Sequence, residues 1–214
     1  MQILKSKITE AENINWSEKI IIEKLLVDKV SLDVHRSRID KVFENHSDES
    51  KEEYIMQILI RDNILNAALN IIEKSFKFDI NDEDIEKISD RINKSIAEKV
   101  ENAQPLNDEA IKLNTIFFIK RILIFDEIAK NYNISVSDEE LKEILNQYYE
   151  NTNQPIREII NDDENLKNAK RAFLDEKIIA FILEKFKNTT DLEKLWENMQ
   201  NSHTTMLNIM NDSK

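Results

Sequence analysis

The chain has 214 residues with no Gly, no Cys and two Pro, 34% charged and 41% hydrophobic side chains, and a net charge of −12. Average usage predicts roughly 15 glycines at this length; without them the positive-φ turns of a Rossmann unit, a P-loop or a G-x-S-x-G elbow are not built, which removes nucleotide-driven and nucleophile-elbow chemistry. The missing Cys removes disulfides and zinc-thiolate sites, and a pI near 4.9 argues against nucleic acid as a partner.

The fold class these facts leave is all-α, helices joined by Asn- and Asp-based caps with at most short extended links. A mean hydropathy of −0.53 marks a soluble chain, and MQILKSKITEAEN has no uninterrupted apolar core for export, which reads as cytoplasmic with no membrane contact. Residues 1 to 13 form an irregular or weakly extended lead-in. From Asn15 the spacing of Trp16, Ile20, Ile21, Leu25, Leu26 and Val30 predicts a helix capped by Asn15 or Ser17, and Leu32, Ile39, Val42 and Phe43 form a second stripe. The polar stretch Glu44 to Ser50 closes an N-terminal helical segment, 1–47.

A domain over 48–187 follows. Its first long helix, about Asp48 to Ser75, carries Ile55, Ile58, Leu59, Leu65, Leu69 and Ile72 on more than one face, so it must be substantially buried. A second, about Asp108 to Lys130, holds TIFFIKRILIF, too short and too charged for a membrane span and read as a central packing helix with Phe117, Phe118 and Phe125 in the core. Phe173 and Phe181 are read as core too.

Around these helices lies an internal repeat. Phe78-Asp79-Ile80-Asn81-Asp82-Glu83-Asp84-Ile85 matches Ile134-Ser135-Val136-Ser137-Asp138-Glu139-Glu140-Leu141. Each copy ends a buried helix, spans a short extended link at Phe78–Ile80 or Ile134–Val136, and starts an amphipathic helix on a cap. Ser137 with Glu140 is a capping box, and Asn81 with Asp84 is a weaker one because Asp reaches back less far. After the helix from Asp138 to about Glu150, the linker Asn151 to Gln154 leads to Pro155 and a short helix with Ile156, Ile159 and Ile160. Asp162 or Asp163 then starts a helix with the stripe Leu166, Ala169, Phe173, Leu174, Ile178, Phe181, Ile182 and Phe186. In the last segment, 188–214, Thr189 or Thr190 caps a helix with Leu192, Leu195, Trp196 and Met199, followed by a loose polar tail.

No constellation supports catalysis, and no cofactor or metal is expected. His35, His46 and His203 stand apart from one another and outside any Glu-x-x-His or His-x-x-x-His spacing. Asp162-Asp163 continues as Glu164-Asn165 and so breaks the DDxxD spacing of a magnesium-diphosphate motif; helix capping is the better reading. Asp79, Asn81 and Glu83 match the first ligands of a calcium loop, but Asp84 stands at the Gly position and Asp90 at the Glu position. Tyr148 and Tyr149 differ from the core aromatics. Adjacent helical residues point about 100° apart, so at least one is exposed, and Ile156, Ile159 and Ile160 belong to a thin element close by. These five residues, Tyr148, Tyr149, Ile156, Ile159 and Ile160, are the candidate client-binding surface, with tertiary or homodimer packing as the alternative.

The run Ile128-Ala129-Lys130, Ile134 to Leu141, Tyr149, Asn153-Gln154-Pro155-Ile156, and Ala172-Phe173-Leu174 through Ile178 to Glu184 resembles the C-terminal chaperone domain of bacterial trigger factor; the peptide-binding domain of SurA-type chaperones is similar. The resemblance covers about residues 128 to 186, more faintly 50 to 127, and rests on the order of caps, Pro and apolar stripes. Asn153 stands where the family places Gly, and a chain without Gly carries neither the family's ribosome-docking loop nor its prolyl-isomerase domain. The resemblance implies an elongated multi-helix body with arm-like helical hairpins around a cleft, no enzyme activity, and an ATP-independent holdase whose partners are unfolded or nascent polypeptides. The rival expectation is a helical adaptor with one folded partner.

Overall fold

The structure, a computed structural model, describes residues 4–22, 25–26, 32, 35–36, 39–40, 47–99, 108–152, 162–191 and 194. Its elements are β1 (Lys7–Ala11), α1 (Asp48–Glu73), β2 (Phe76–Asp79), α2 (Asp82–Lys99), α3 (Asp108–Asn131), α4 (Asp138–Thr152), α5 (Asp163–Phe186) and a 3-10 turn, Lys187–Thr189. The chain is therefore mostly helical. It divides into two compact units, one from 1–15, 71–149 and 154–178, the other from 16–70, 150–153 and 179–214.

In the first unit the lead-in and the first link of the repeat pair as an antiparallel ribbon, with Lys7 opposite Asp79, Ala11 opposite Phe76, and a bulge between Ile8 and Glu10. The link was foreseen as extended, but its partner was not. An extended segment leaves backbone donors and acceptors that need a mate, and β1 supplies them from about 70 residues away. The second link contains no strand, and its Ser135 carbonyl instead accepts a bond from the Lys177 ammonium at 2.8 Å. There α3 ends on Asn133 at φ 53°, the left-handed conformation that Gly usually provides. The Ile134 N–H donates to the Ala129 carbonyl at 2.9 Å, the long 6→1 bond of a Schellman end.

The caps follow the same local logic. Ser137 Oγ accepts the Glu140 N–H at 3.1 Å, and the Glu140 carboxylate is held below its usual pKa range first by Lys177 and also by the Ser137 N–H, which completes the capping box. Asp162 Oδ1 accepts the N–H groups of Glu164 and Asn165 at 2.8 and 2.9 Å, so it caps α5 as read from the sequence. In the first copy Asn81 Oδ1 accepts the Glu83 N–H at 3.0 Å. The short reach of Asp84 is bridged by a third residue. Ser6 donates its hydroxyl (2.7 Å) and its N–H (2.6 Å) to the buried Asp84 Oδ2, while its hydroxyl oxygen accepts the Asn81 N–H (3.0 Å). Burial pushes Asp84 upward, but the bonds from Ser6 and the Lys5 N–H outweigh it and hold its pKa low.

Val136, Leu141 and Leu145 form a buried cluster against Leu166, Ala169, Phe173 and Leu174, so the amphipathic faces of α4 and α5 meet. Arg171 pairs with Asp126 of α3 and, at 2.7 Å, with Asp175 of its own helix. Burial raises the Asp175 carboxyl despite that neighbouring guanidinium.

In the second unit Leu32, Ile39, Ile55 and Leu59 are buried together, with Met56 and Ile58 against them. Asn63 of α1 is buried and holds the backbone at Leu26: it accepts the Leu26 N–H at 2.8 Å and donates to the Leu26 and Leu59 carbonyls at 3.0 and 2.8 Å. By length and composition α1 could cross a membrane, with a mean hydropathy of 1.2. Yet Arg61, Asp62 and Asn63 lie at its middle and its apolar residues are packed, as in a core helix.

Two expectations are corrected in this unit. Residues 15–22 are turn and extended chain instead of helix. Ile20 and Ile22 are buried while Ile21 is 48% exposed, the alternation of a strand. Ile20 forms a parallel bridge with Thr190, donating to the Thr189 carbonyl and accepting from the Asp191 N–H, each at 3.0 Å. Trp16 fits against Phe181 and Phe186, with ring centroids 5.8 and 5.3 Å away. The second correction is that Thr189 and Thr190 do not start a helix. Both hydroxyls donate to the Phe186 carbonyl at 3.0 Å and so close α5, while Asp191 Oδ1 accepts the Lys194 N–H at 3.1 Å.

Candidate functional site

The first unit presents an apolar face on α3. Its α2 and α3 lie side by side, with Ser89 Oγ and Thr115 Oγ1 hydrogen-bonded at 2.9 Å. Ile111, Thr115 and Ile119, four residues apart, are buried on that side of α3, and Ile88 is buried on α2. Leu113 and Phe117 each lie two residues from Thr115, hence about 160° around the helix from it. They are 63% and 37% exposed, and Phe118, about 100° around the helix from Phe117, is 47% exposed. This corrects the placing of Phe117 and Phe118 in the core. In its C-terminal half α3 has neighbours on a different side and buries Ile124, Phe125 and Ile128, whereas its N-terminal half has too few partners to cover an all-round apolar helix. The sequence signal was present: a helix apolar on every side needs cover on every side.

The same unit carries several paired charges. Arg121, one turn beyond Phe117, stacks its guanidinium 5.0 Å from the Phe125 ring centre. Lys120 reaches Glu73 at 2.5 Å and lies 5.4 Å from the Phe78 ring centre. On α2, Lys5 reaches Glu83 at 2.6 Å, and that bond is the first cause holding the Glu83 carboxylate below its usual range.

Tyr149 lies near the end of α4 and is 48% exposed, as is Tyr132 to a similar degree just after α3. Tyr148 belongs to the same helix, its side chain outside the described residues; Ile156, Ile159 and Ile160, with Pro155 and the segment after residue 194, also lie outside them. The calcium-like residues have other work: Asp79 faces Lys7 at 3.8 Å, Asn81 caps α2, and Glu83 pairs with Lys5. His35 sits 3.6 Å from Asp62. Among the described residues no three His, Asp or Glu side chains gather as a metal site.

Residues 31–184 match the family model described as bacterial trigger factor protein (TF) C-terminus. The chain is 26% identical over 184 residues to the uncharacterized MG377 homolog of Mycoplasma pneumoniae, and equally to the uncharacterized protein MG377 of Mycoplasma genitalium, covering 86% of this chain and 92% of each relative. Among solved structures it resembles the crystal structure of the hypothetical Mycoplasma protein MPN555, with a TM-score of 0.73 and 25% identity over 87% of this chain and 91% of that one.

Proposed function

The chain belongs to the family of the bacterial trigger factor C-terminus, and from that premise we propose that it is an ATP-independent holdase that shields unfolded or nascent polypeptides in the cytoplasm. The observation that carries this reading is the exposure of three large apolar residues, Leu113, Phe117 and Phe118, in the N-terminal half of α3. A folded chain that leaves an aliphatic and two aromatic side chains of one helix partly in water bears a cost that a binding partner removes. A holdase needs no reacting group, only such a surface on an acidic, self-repelling scaffold, and the net charge of −12 supplies that repulsion.

Tyr148, Tyr149, Ile156, Ile159 and Ile160 are proposed as a second part of the client surface, Tyr149 being the member with a described, half-exposed side chain. Binding through a few partly exposed side chains is weak and broad. Each would contribute a fraction of the roughly 1.5–3 kcal/mol of full burial, less the entropy of ordering the client. The test is aggregation of several unrelated, chemically unfolded clients, without nucleotide, at near-stoichiometric ratios. Suppression of several supports the holdase. Indifference to all of them, with tight capture of one folded partner, would make the chain an adaptor instead.

A further inference from the structure

The second unit contains a groove of its own. Gln57, Ile60, Arg61 and Ile64 of α1 line one side, and Leu183, Lys187 and Thr190, from the end of α5 onward, line the other. The α1 residues follow the i, i+3, i+4, i+7 spacing of one helical face. Its cavity volume is about 340 Å³, within the size range of small-ligand and peptide sites. The α1 wall, from Gln57 to Ile64, extends about 10 Å, room for two turns of a helix. One turn before Gln57 on the same face stands Tyr54, exposed at the N-terminal end of the groove.

The wall is chiefly hydrocarbon, from Ile60, Ile64, Leu183 and the stems of the two long cations. The charges at it, Arg61 and Lys187, are both positive on a chain with 42 acidic and 30 basic residues. Lys187 lies 3.7 Å from Glu184 in a pair whose two side chains are both well exposed, an arrangement that exchanges readily for another carboxylate.

We propose that this groove is a second, chemically selective peptide site, occupied by a short amphipathic segment of a partner polypeptide that presents aliphatic side chains flanked by carboxylates. The aliphatic side chains fill the space between Ile60, Ile64 and Leu183, and the carboxylates meet Arg61 and Lys187. The groove thus adds charge selectivity that the α3 face, apolar and broad, does not have.

The experiment uses the full chain and two labelled peptides with the same aliphatic core, one flanked by Glu and one by Lys, titrated by fluorescence anisotropy at low and high salt. The Glu-flanked peptide should bind about five- to tenfold tighter at low salt, the advantage shrinking as salt rises. Arg61→Glu with Lys187→Glu should reverse the preference. Arg61→Gln with Lys187→Gln, a milder pair checked by circular dichroism, should abolish it. Equal binding of both peptides, binding of neither, or a preference unchanged in both variants would overturn the proposal. Binding only after residues 195–214 are removed would assign the groove to this chain's own end and overturn it as well. A wild-type chain that protects clients but shows no peptide selectivity fails this proposal alone; a wild-type chain that shows the selectivity but protects no client fails the holdase reading alone.

Discussion

Ser6→Ala removes one oxygen that serves two helical groups at once. The Ser6 hydroxyl donates to Asp84 Oδ2 at 2.7 Å and accepts the Asn81 N–H at 3.0 Å, at a site where Ser6 and Asp84 are both buried. A hydrogen bond to a charged group contributes about 1.5–3 kcal/mol, and the Asn81 N–H left without that acceptor adds to the loss, so the substitution should cost about 2–4 kcal/mol. Asp84→Ala should cost a similar amount, because it also removes the bond from the Ser6 N–H and a negative charge from the first turn of α2. The two are partners, so the double variant should lose about 1–2 kcal/mol less than the sum of the singles. Urea unfolding followed by circular dichroism measures all four stabilities. The pH dependence has a defined sign. Asp84 has a lowered pKa in the fold, so its stabilisation is fully present above its unfolded value near 4 and disappears as pH falls through the folded value. The gap between wild type and Asp84→Ala should therefore narrow below about pH 4. A Ser6→Ala cost under about 0.5 kcal/mol, or additive singles, would refute the relay.

Asn133 at φ 53° predicts that Asn133→Gly is neutral or slightly stabilising and Asn133→Ala costs about 1 kcal/mol in the same unfolding assay. Replacing Tyr149, Ile156 and Ile160 together by Ser should weaken client protection in an aggregation assay with a melting temperature near that of wild type. An unfolded triple variant would make these residues core. Asn63→Ala should destabilise by about 2–4 kcal/mol in thermal or urea unfolding, since it strips three bonds from Leu26 and Leu59 backbone groups.

Local chemistry was legible in the sequence and long-range pairing was not. Ser137 and Asp162 announce helix starts because a cap is decided within four residues. The Asn81–Asp84 box looked weak because its missing member, Ser6, is 75 residues from Asn81. Trp16, Ile20 and Leu25 fit helical spacing, yet the burial of both Ile20 and Ile22 follows a strand period that only the bridge to Thr190 makes decisive. Thr189 and Thr190 could close one helix or open another, and their hydroxyl bonds to the Phe186 carbonyl decide for the first. For the site, the exposure of Tyr149 follows from two adjacent bulky residues on one helix. The open Leu113, Phe117 and Phe118 were misjudged because apolarity records what a helix could bury, whereas burial depends on how many neighbours arrive.

The exposed portions of Leu113, Phe117 and Phe118 would together contribute about 2–4 kcal/mol gross if a client covered them. The most direct measurement is the affinity of a labelled, permanently unfolded polypeptide for wild type and for the variant Leu113→Ser, Phe117→Ser, Phe118→Ser, with folding of both verified by circular dichroism. The holdase account predicts binding by wild type and a loss of at least about tenfold in the variant, whose fold survives because the removed groups lie partly in water and outside the buried core. Equal affinity of the two proteins, or no binding by wild type, would contradict it.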